Sequence, residues 1–249
     1  MKTEVNGLSV YYEEYGPSDG PHVLVLPGWM AKASLYRVIS DAVSEKYHVI
    51  LLDMPGFTGG TPEPPTPWDL DAFTDFVTGF IKALSIDALT LIGHSFGGRV
   101  IIKMSNRPDL PFEISRIILI DSAGIKHAQP GSVKIRQSLF RAAKNFVPDK
   151  IVERYKETHG SADYRAASPL MRECMVLAIN EDLRPILSGV TPEVLLIWGT
   201  NDTDTPIEDA LIMESEMPNA YLAKIEGVGH FSFMEAPAVF TNILRSYLK

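Results

Sequence analysis

Two hydrophobic rhythms alternate along the chain. Short apolar or alternating runs, Leu8–Tyr15, Val23–Leu26, His48–Asp53, Ala88–Ile92, Arg116–Asp121, Val194–Trp198 and Tyr221–Ile225, read as strands. Between them apolar residues return at helical spacing. Phe73, Phe76, Val77, Phe80, Ile81 and Leu84 form one stripe, with Asp69 and Asp71 at its N-terminal end. Val239, Phe240, Ile243, Leu244 and Tyr247 form another after Pro237. Thr205-Pro206-Ile207-Glu208 predicts a helix start, with Thr205 as N-cap, a first-turn proline and a capping-box glutamate. Strands alternating with helices predict an α/β fold, a mainly parallel sheet with helices on both faces. The run 8–15 alternates most and is expected to be an antiparallel edge.

The rhythm breaks between Ile125 and Ser188, where the pattern is helical and no strand is evident. Ile135, Leu139, Ala142, Ala143 and Phe146 share one face, with Lys134, Arg141 and Lys144 opposite. An all-helical insertion after a strand predicts a cap over a site, so the expected division is a core of residues 1–124 and 189–249 with a cap at 125–188. Eleven Lys/Arg against seven Asp/Glu give the cap a net charge of +4, which leaves −12 on the rest of a −8 chain. A solvated helix surface explains this; recruitment of an anionic substrate or acyl carrier is the alternative.

The strongest chemical signal lies where the run 88–92 meets the next helical pattern. Gly93-His94-Ser95-Phe96-Gly97-Gly98 reads as strand, sharp turn, helix, with a serine at the apex. Such a turn strains the serine backbone and lifts its hydroxyl clear of the sheet. It also leaves the Phe96 amide free at a helix N-terminus, where it can stabilise an oxyanion. A second donor is expected from the loop after an early strand, and the Trp29 amide in Leu26-Pro27-Gly28-Trp29 is the candidate.

A serine needs a base, and the base an orienting acid. Of six histidines, His22 and His48 open strands, His94 adjoins Ser95 with its ring expected to point elsewhere, and His127 and His159 lie in or near the cap. His230 follows the last strand in Gly227-Val228-Gly229-His230, where an α/β sheet assembles its site. Asp202, after the strand 194–198, is the preferred acid. Asp121 competes, and Asp204 is a local rival. Asp53 is read as bracing its own turn.

These blocks, with Asp53-Met54-Pro55-Gly56-Phe57 and Glu235, resemble the α/β-hydrolase fold superfamily, in particular serine-nucleophile members with a helical cap such as small carboxylesterases. The resemblance covers nearly the full length outside the insertion. It implies a Ser95, Asp202, His230 triad, with Trp29 and Phe96 as the oxyanion hole. Pro27 stands where relatives usually carry histidine. Serine at 95 argues against the haloalkane dehalogenases and epoxide hydrolases of this fold, which use aspartate. The pimeloyl-carrier methyl ester esterases also have Gly-Trp in the oxyanion loop. The carbon–carbon bond hydrolases of ring-fission products share the layout, but their glycine-proline-glycine loop is absent after Trp29.

The expected reaction is hydrolysis of a carboxylic ester or related acyl bond of a small molecule through an acyl-enzyme. The rivals are carbon–carbon bond hydrolysis and a low-turnover small-molecule receptor on the same fold. No metal and no organic cofactor is implied. The acidic balance argues against nucleic acid as a partner. No apolar run approaches a membrane span, and the residues from Met1 to Gly7 lack the apolar core of a signal peptide. Cys174 is the only cysteine; it reads as a buried small hydrophobe and fits a reducing, cytoplasmic setting.

Overall fold

The computed structural model describes residues 1–57, 59–126 and 167–249. Eight strands form one sheet: β1 (Lys2–Val5), β2 (Leu8–Tyr15), β3 (His22–Leu26), β4 (His48–Leu52), β5 (Ala88–His94), β6 (Glu113–Ile120), β7 (Glu193–Gly199) and β8 (Ala220–Ile225). Their spatial order is β1-β2-β4-β3-β5-β6-β7-β8. β2 pairs antiparallel with β1 and β4, and every pairing from β4 through β3 to β8 is parallel.

β2 is antiparallel as its alternation predicts, but it is not the edge. β1 covers it, a strand that the sequence reading passed over because only Val5 of its four residues is buried. Pairing holds it, through a hairpin whose Asn6 and Gly7 both adopt positive φ (51° and 80°). Asn-Gly is the dipeptide such tight turns favour.

The helices are α1 (Arg37–Val43), α2 (Leu70–Ala83), α3 (Phe96–Ser105), α4 (Pro169–Ile179), α5 (Ile207–Glu216), α6 (Ser232–Glu235) and α7 (Pro237–Tyr247) among the described residues. The inner strands are mostly apolar along their buried stretches because both faces are covered. Leu24 and Leu26 of β3 join one core layer with Phe73, Phe76, Val77, Phe80 and Ile81 of α2. Val23 and Val25 join the other, with Ile39 of α1 and Phe240 and Leu244 of α7. Strand period two thus feeds two separate cores. Asp69 caps α2 by accepting the Ala72 N–H at 2.9 Å. Val239, expected in the closing stripe, is instead exposed.

Parallel strands bring their following loops to one end of the sheet. The residues after β3, β4, β5, β6, β7 and β8 include Gly28-Trp29, Asp53, Ser95, Asp121, Asp202 and His230 respectively. Most of the expected cap, with Lys134, Arg141, Lys144, His127 and His159, lies outside the described residues. Its described C-terminal part holds α4 and a 3-10 segment, Arg184–Gly189. α4 buries Met171 and Cys174, and the Cys174 Sγ accepts the Trp68 N–H at 3.1 Å. No described helix is long and apolar enough to cross a membrane.

Candidate active site

Ser95 has φ 49° and ψ −109°, a backbone region that costs a non-glycine residue roughly 1–3 kcal/mol. Its surroundings enforce it. The Ser95 N–H donates to the Ile120 carbonyl at 3.1 Å, and the Ser95 carbonyl accepts from Gly98 and Ala123, each at 3.1 Å. The neighbouring glycines permit the packing. A Cβ on Gly93 would lie 2.7 Å from the Gly97 carbonyl carbon, and one on Gly97 would overlap the Leu26 carbonyl. α3 therefore presses its N-terminus against the end of β3. The Ser95 side chain caps none of its amides.

The side chains of Trp29 and Phe96, the residues whose amides are the expected oxyanion donors, meet at this end of the sheet. Trp29 packs edge-on against Phe96 at a ring-centroid distance of 5.0 Å, with Phe57 and Phe73 completing the cluster. Phe96 is the first residue of α3, where an N–H has no partner within its helix. Met30, just beyond Trp29, has φ 56° and turns the loop back sharply.

His230 Nδ1 lies 2.8 Å from Asp202 Oδ2. The Asp202 carboxylate is deeply set, with a side-chain exposure of 0% against 13% for His230. Its other acceptor sites are filled. Oδ1 accepts the N–H groups of Asp204 and Thr205 at 2.8 and 3.0 Å, and Thr205 Oγ1 lies 2.6 Å from Oδ2. Thr205 Oγ1 is also 3.1 Å from the Asp121 carbonyl, but its one proton serves one acceptor at a time, and the charged carboxylate makes the stronger bond. Burial raises the cost of charge on Asp202, yet the hydrogen bonds from His230 and Thr205 outweigh it and hold its pKa below 3.8. Burial likewise disfavours a charged His230, but the Asp202 hydrogen bond and charge prevail and lift its pKa above 6.5. Nδ1–H donating to Asp202 leaves Nε2 as the acceptor, the tautomer a general base requires.

Asp121, the rival acid, serves another purpose. It has φ 43°, is fully buried, and does not bond His230. Oδ1 accepts the Gly199 N–H at 2.8 Å; Oδ2 accepts the Ser232 N–H at 3.1 Å and hydroxyl at 2.6 Å. It thus ties β6 to β7 and to the segment just after His230. Burial, with Asp202 nearby, pushes its pKa up to about 7. Asp204 gives its backbone N–H to Asp202, and its charge adds to those that favour a protonated His230. His22 and His48 lie side by side at the N-terminal ends of β3 and β4, away from the Ser95 end of the sheet. Asp53 braces two loops, accepting the Ala33 N–H at 2.6 Å and the Gly60 N–H at 3.1 Å.

Among the described residues, the group whose side-chain atoms are close enough to share a metal ion is Asp202, Asp204 and His230. Hydrogen bonds already occupy both Asp202 oxygens and His230 Nδ1, so this donor set suits the hydrogen-bonded pair better than an ion.

A family model described as the alpha/beta hydrolase family matches residues 23–243, nearly the whole chain. The chain belongs to the alpha/beta hydrolase family. Two relatives of the chain carry different activities in their names. A 2-hydroxymuconate semialdehyde hydrolase of Pseudomonas sp. (strain CF600) is 26% identical over 89% of this chain and 83% of its own. A non-heme chloroperoxidase of Streptomyces lividans is 25% identical over 99% and 98%. The enol-lactonase from Burkholderia xenovorans LB400 superposes with a TM-score of 0.78 at 20% identity, covering 100% of this chain and 99% of that one, a likeness of fold.

Three features of this alpha/beta hydrolase escaped the sequence reading. Thr205 is not an N-cap. α5 starts at Ile207 with Pro206 in the cap position, and the Thr205 hydroxyl turns to Asp202 instead. Tyr36, which no sequence pattern singles out, is a buried partner of His94 at 2.9 Å. Glu235 accepts the N–H groups of Gly229 and Phe231, on either side of His230. Glu235 had a signal, its place after Gly229-His230; Thr205 acts within its own loop on Asp202, three positions earlier, and Tyr36 acts through a contact across the fold.

Proposed function

We propose that the protein is a serine hydrolase that cleaves a carboxylic ester or related acyl bond of a small molecule. The observation that carries this reading is the 2.8 Å Asp202–His230 pair, together with a serine at positive φ that directly follows His94, whose ring bonds the His230 carbonyl. In this reading Ser95 Oγ attacks the carbonyl carbon as His230 Nε2 takes its proton. The oxyanion is bound by the Trp29 and Phe96 amides. Collapse breaks the bond to the leaving group, which receives the His230 proton. Water, deprotonated by His230, then hydrolyses the acyl-enzyme and releases Ser95. Asp202 orients His230 and offsets its charge. No step calls for a metal or organic cofactor.

Residues 125–188 would form the cap over this site and the remainder the core. The +4 charge of that segment supports a substrate, or acyl carrier, that is negative away from the scissile bond. One buried cysteine suits a cytoplasmic setting.

Carbon–carbon bond hydrolysis is the second reading, supported by the muconate semialdehyde hydrolase relative. The deciding experiment offers the enzyme p-nitrophenyl esters, thioesters and a ring-fission 1,5-diketone in parallel. Ester turnover that vanishes in Ser95→Ala supports the proposal; turnover of the diketone alone supports the second reading. Tight binding with no turnover of any class would make the protein a receptor.

A further inference from the structure

We infer that Tyr36 and His94 are positioning residues, a buried hydrogen-bonded tether that holds the His230 loop in register with the oxyanion loop; this rests on the triad reading above. Three hydrogen bonds make the tether. The Gly28 N–H donates to Tyr36 Oη at 2.7 Å, Tyr36 Oη lies 2.9 Å from His94 Nδ1, and His94 Nε2 lies 2.8 Å from the His230 carbonyl oxygen. The line runs from the residue before Trp29, through the residue before Ser95, to His230 itself.

Its proton order is fixed at both ends. A backbone N–H can only donate and a carbonyl oxygen can only accept. Tyr36 Oη therefore accepts from Gly28 and has its own proton for His94 Nδ1. His94 must then carry its proton on Nε2, where it donates to His230. Burial, reinforced by the neighbouring His230, brings the His94 pKa down to about 3, so this neutral tautomer persists across the working pH range. Burial also pushes the Tyr36 phenol well above its usual range, so it keeps its proton.

Packing leaves the tether no slack. Tyr36 is fully buried and stacks on Phe233 at 5.1 Å. The His94 ring lies 4.9 Å from that of His230 and 5.2 Å from Phe231. A Cβ on Gly28 would stand 2.7 Å from His94 Nδ1, so glycine is what permits the approach. Around His230 three consecutive backbone positions are held: the Gly229 and Phe231 amides by Glu235 and the His230 carbonyl by His94. The base must stay aligned as it alternates between neutral and charged forms, and a positively charged neighbour at 4.9 Å would oppose the charged form. A neutral donor anchors the loop without that repulsion.

The test measures the rate at which an alkyl fluorophosphonate labels Ser95, kcat and KM with p-nitrophenyl acetate, and the low-field imidazole proton resonance of His230. Tyr36→Phe keeps the ring and removes the hydroxyl; His94→Leu removes the tether; His94→Gln keeps an amide N–H able to reach the His230 carbonyl. Tyr36→Phe and His94→Leu are expected to slow labelling and lower kcat about tenfold to a hundredfold, with KM little changed, as misplacement of a catalytic group does. Both should shift or broaden the His230 resonance, and His94→Gln should recover most of the rate. Folded Tyr36→Phe and His94→Leu proteins that label within about twofold of wild type would overturn the tether, as would His94→Gln no faster than His94→Leu. Absence of Ser95 labelling in the wild type would instead overturn the triad reading, and the tether with it.

Discussion

His94 is buried and neutral in the folded protein, so acid should act on stability through it. Its pKa is about 3 when folded, against 6.5 for an ordinary histidine. Between these values the unfolded chain binds a proton that the native state refuses, so this contribution to stability is present above pH 6.5 and is lost as pH falls toward 3. The groups that face His94 are the Tyr36 hydroxyl, the His230 ring and the Asp202 charge; the last opposes the effect but is outweighed by burial. Each pH unit in the window changes the folding equilibrium about tenfold, and the loss between pH 8 and pH 5 comes to about 2 kcal/mol. Asp121 works the other way. Its folded pKa of about 7 exceeds its ordinary 3.8, so its contribution rises as pH falls through that interval. The difference between wild type and His94→Gln removes this shared term. Urea unfolding of both proteins at pH 8, 6 and 5 measures it. The stability advantage of wild type should shrink by about 2 kcal/mol over that range. A difference that stays constant with pH would mean that native His94 titrates normally, and the fixed-tautomer argument would fail.

Asp202→Asn should lower kcat by roughly 10⁴, because an amide can hold the wrong imidazole tautomer, whereas Asp121→Asn should act chiefly on stability; steady-state kinetics and melting curves separate the two. The acid limb of wild-type kcat/KM should fall above the ordinary histidine pKa, since Asp202 raises that of His230. Gly97→Ala should displace α3 from the Leu26 carbonyl and abolish phosphonate labelling, read by intact mass. Phe76→Ala, at 0% exposure, should cost about 3–5 kcal/mol in urea unfolding. If the basic segment 125–188 recruits anions, kcat/KM for an anionic ester should fall with salt more steeply in wild type than in a protein with Lys134, Arg141 and Lys144 neutralised.

What the sequence reveals here depends on how local each determinant is. β3, β5 and β7 are legible because a strand covered on both faces has to be apolar along its length. β1 is not, because register with β2, rather than a hydrophobic face, defines it. Gly93, Ser95 and Gly97 announce a turn through a pattern confined to five residues, although the space Gly97 leaves is taken by the distant Leu26 carbonyl. Asp202 and His230 can be inferred from their places after strands, because parallel topology sends those loops to one end. Tyr36 cannot. Its partners lie 8 and 58 positions away, and no periodicity encodes a hydroxyl aimed at His94. Thr205 misleads for a related reason: its pattern suits a helix cap, but a carboxylate across the loop is the better acceptor.

The most direct test of acyl transfer through Ser95 is to quench the enzyme during turnover of p-nitrophenyl acetate and map the acetylated peptide by mass spectrometry. A single acetyl group on Ser95, absent in Ser95→Ala and accompanied by a burst of p-nitrophenol, is the predicted result. Full turnover with no adduct on Ser95, or with the adduct on another residue, would contradict it.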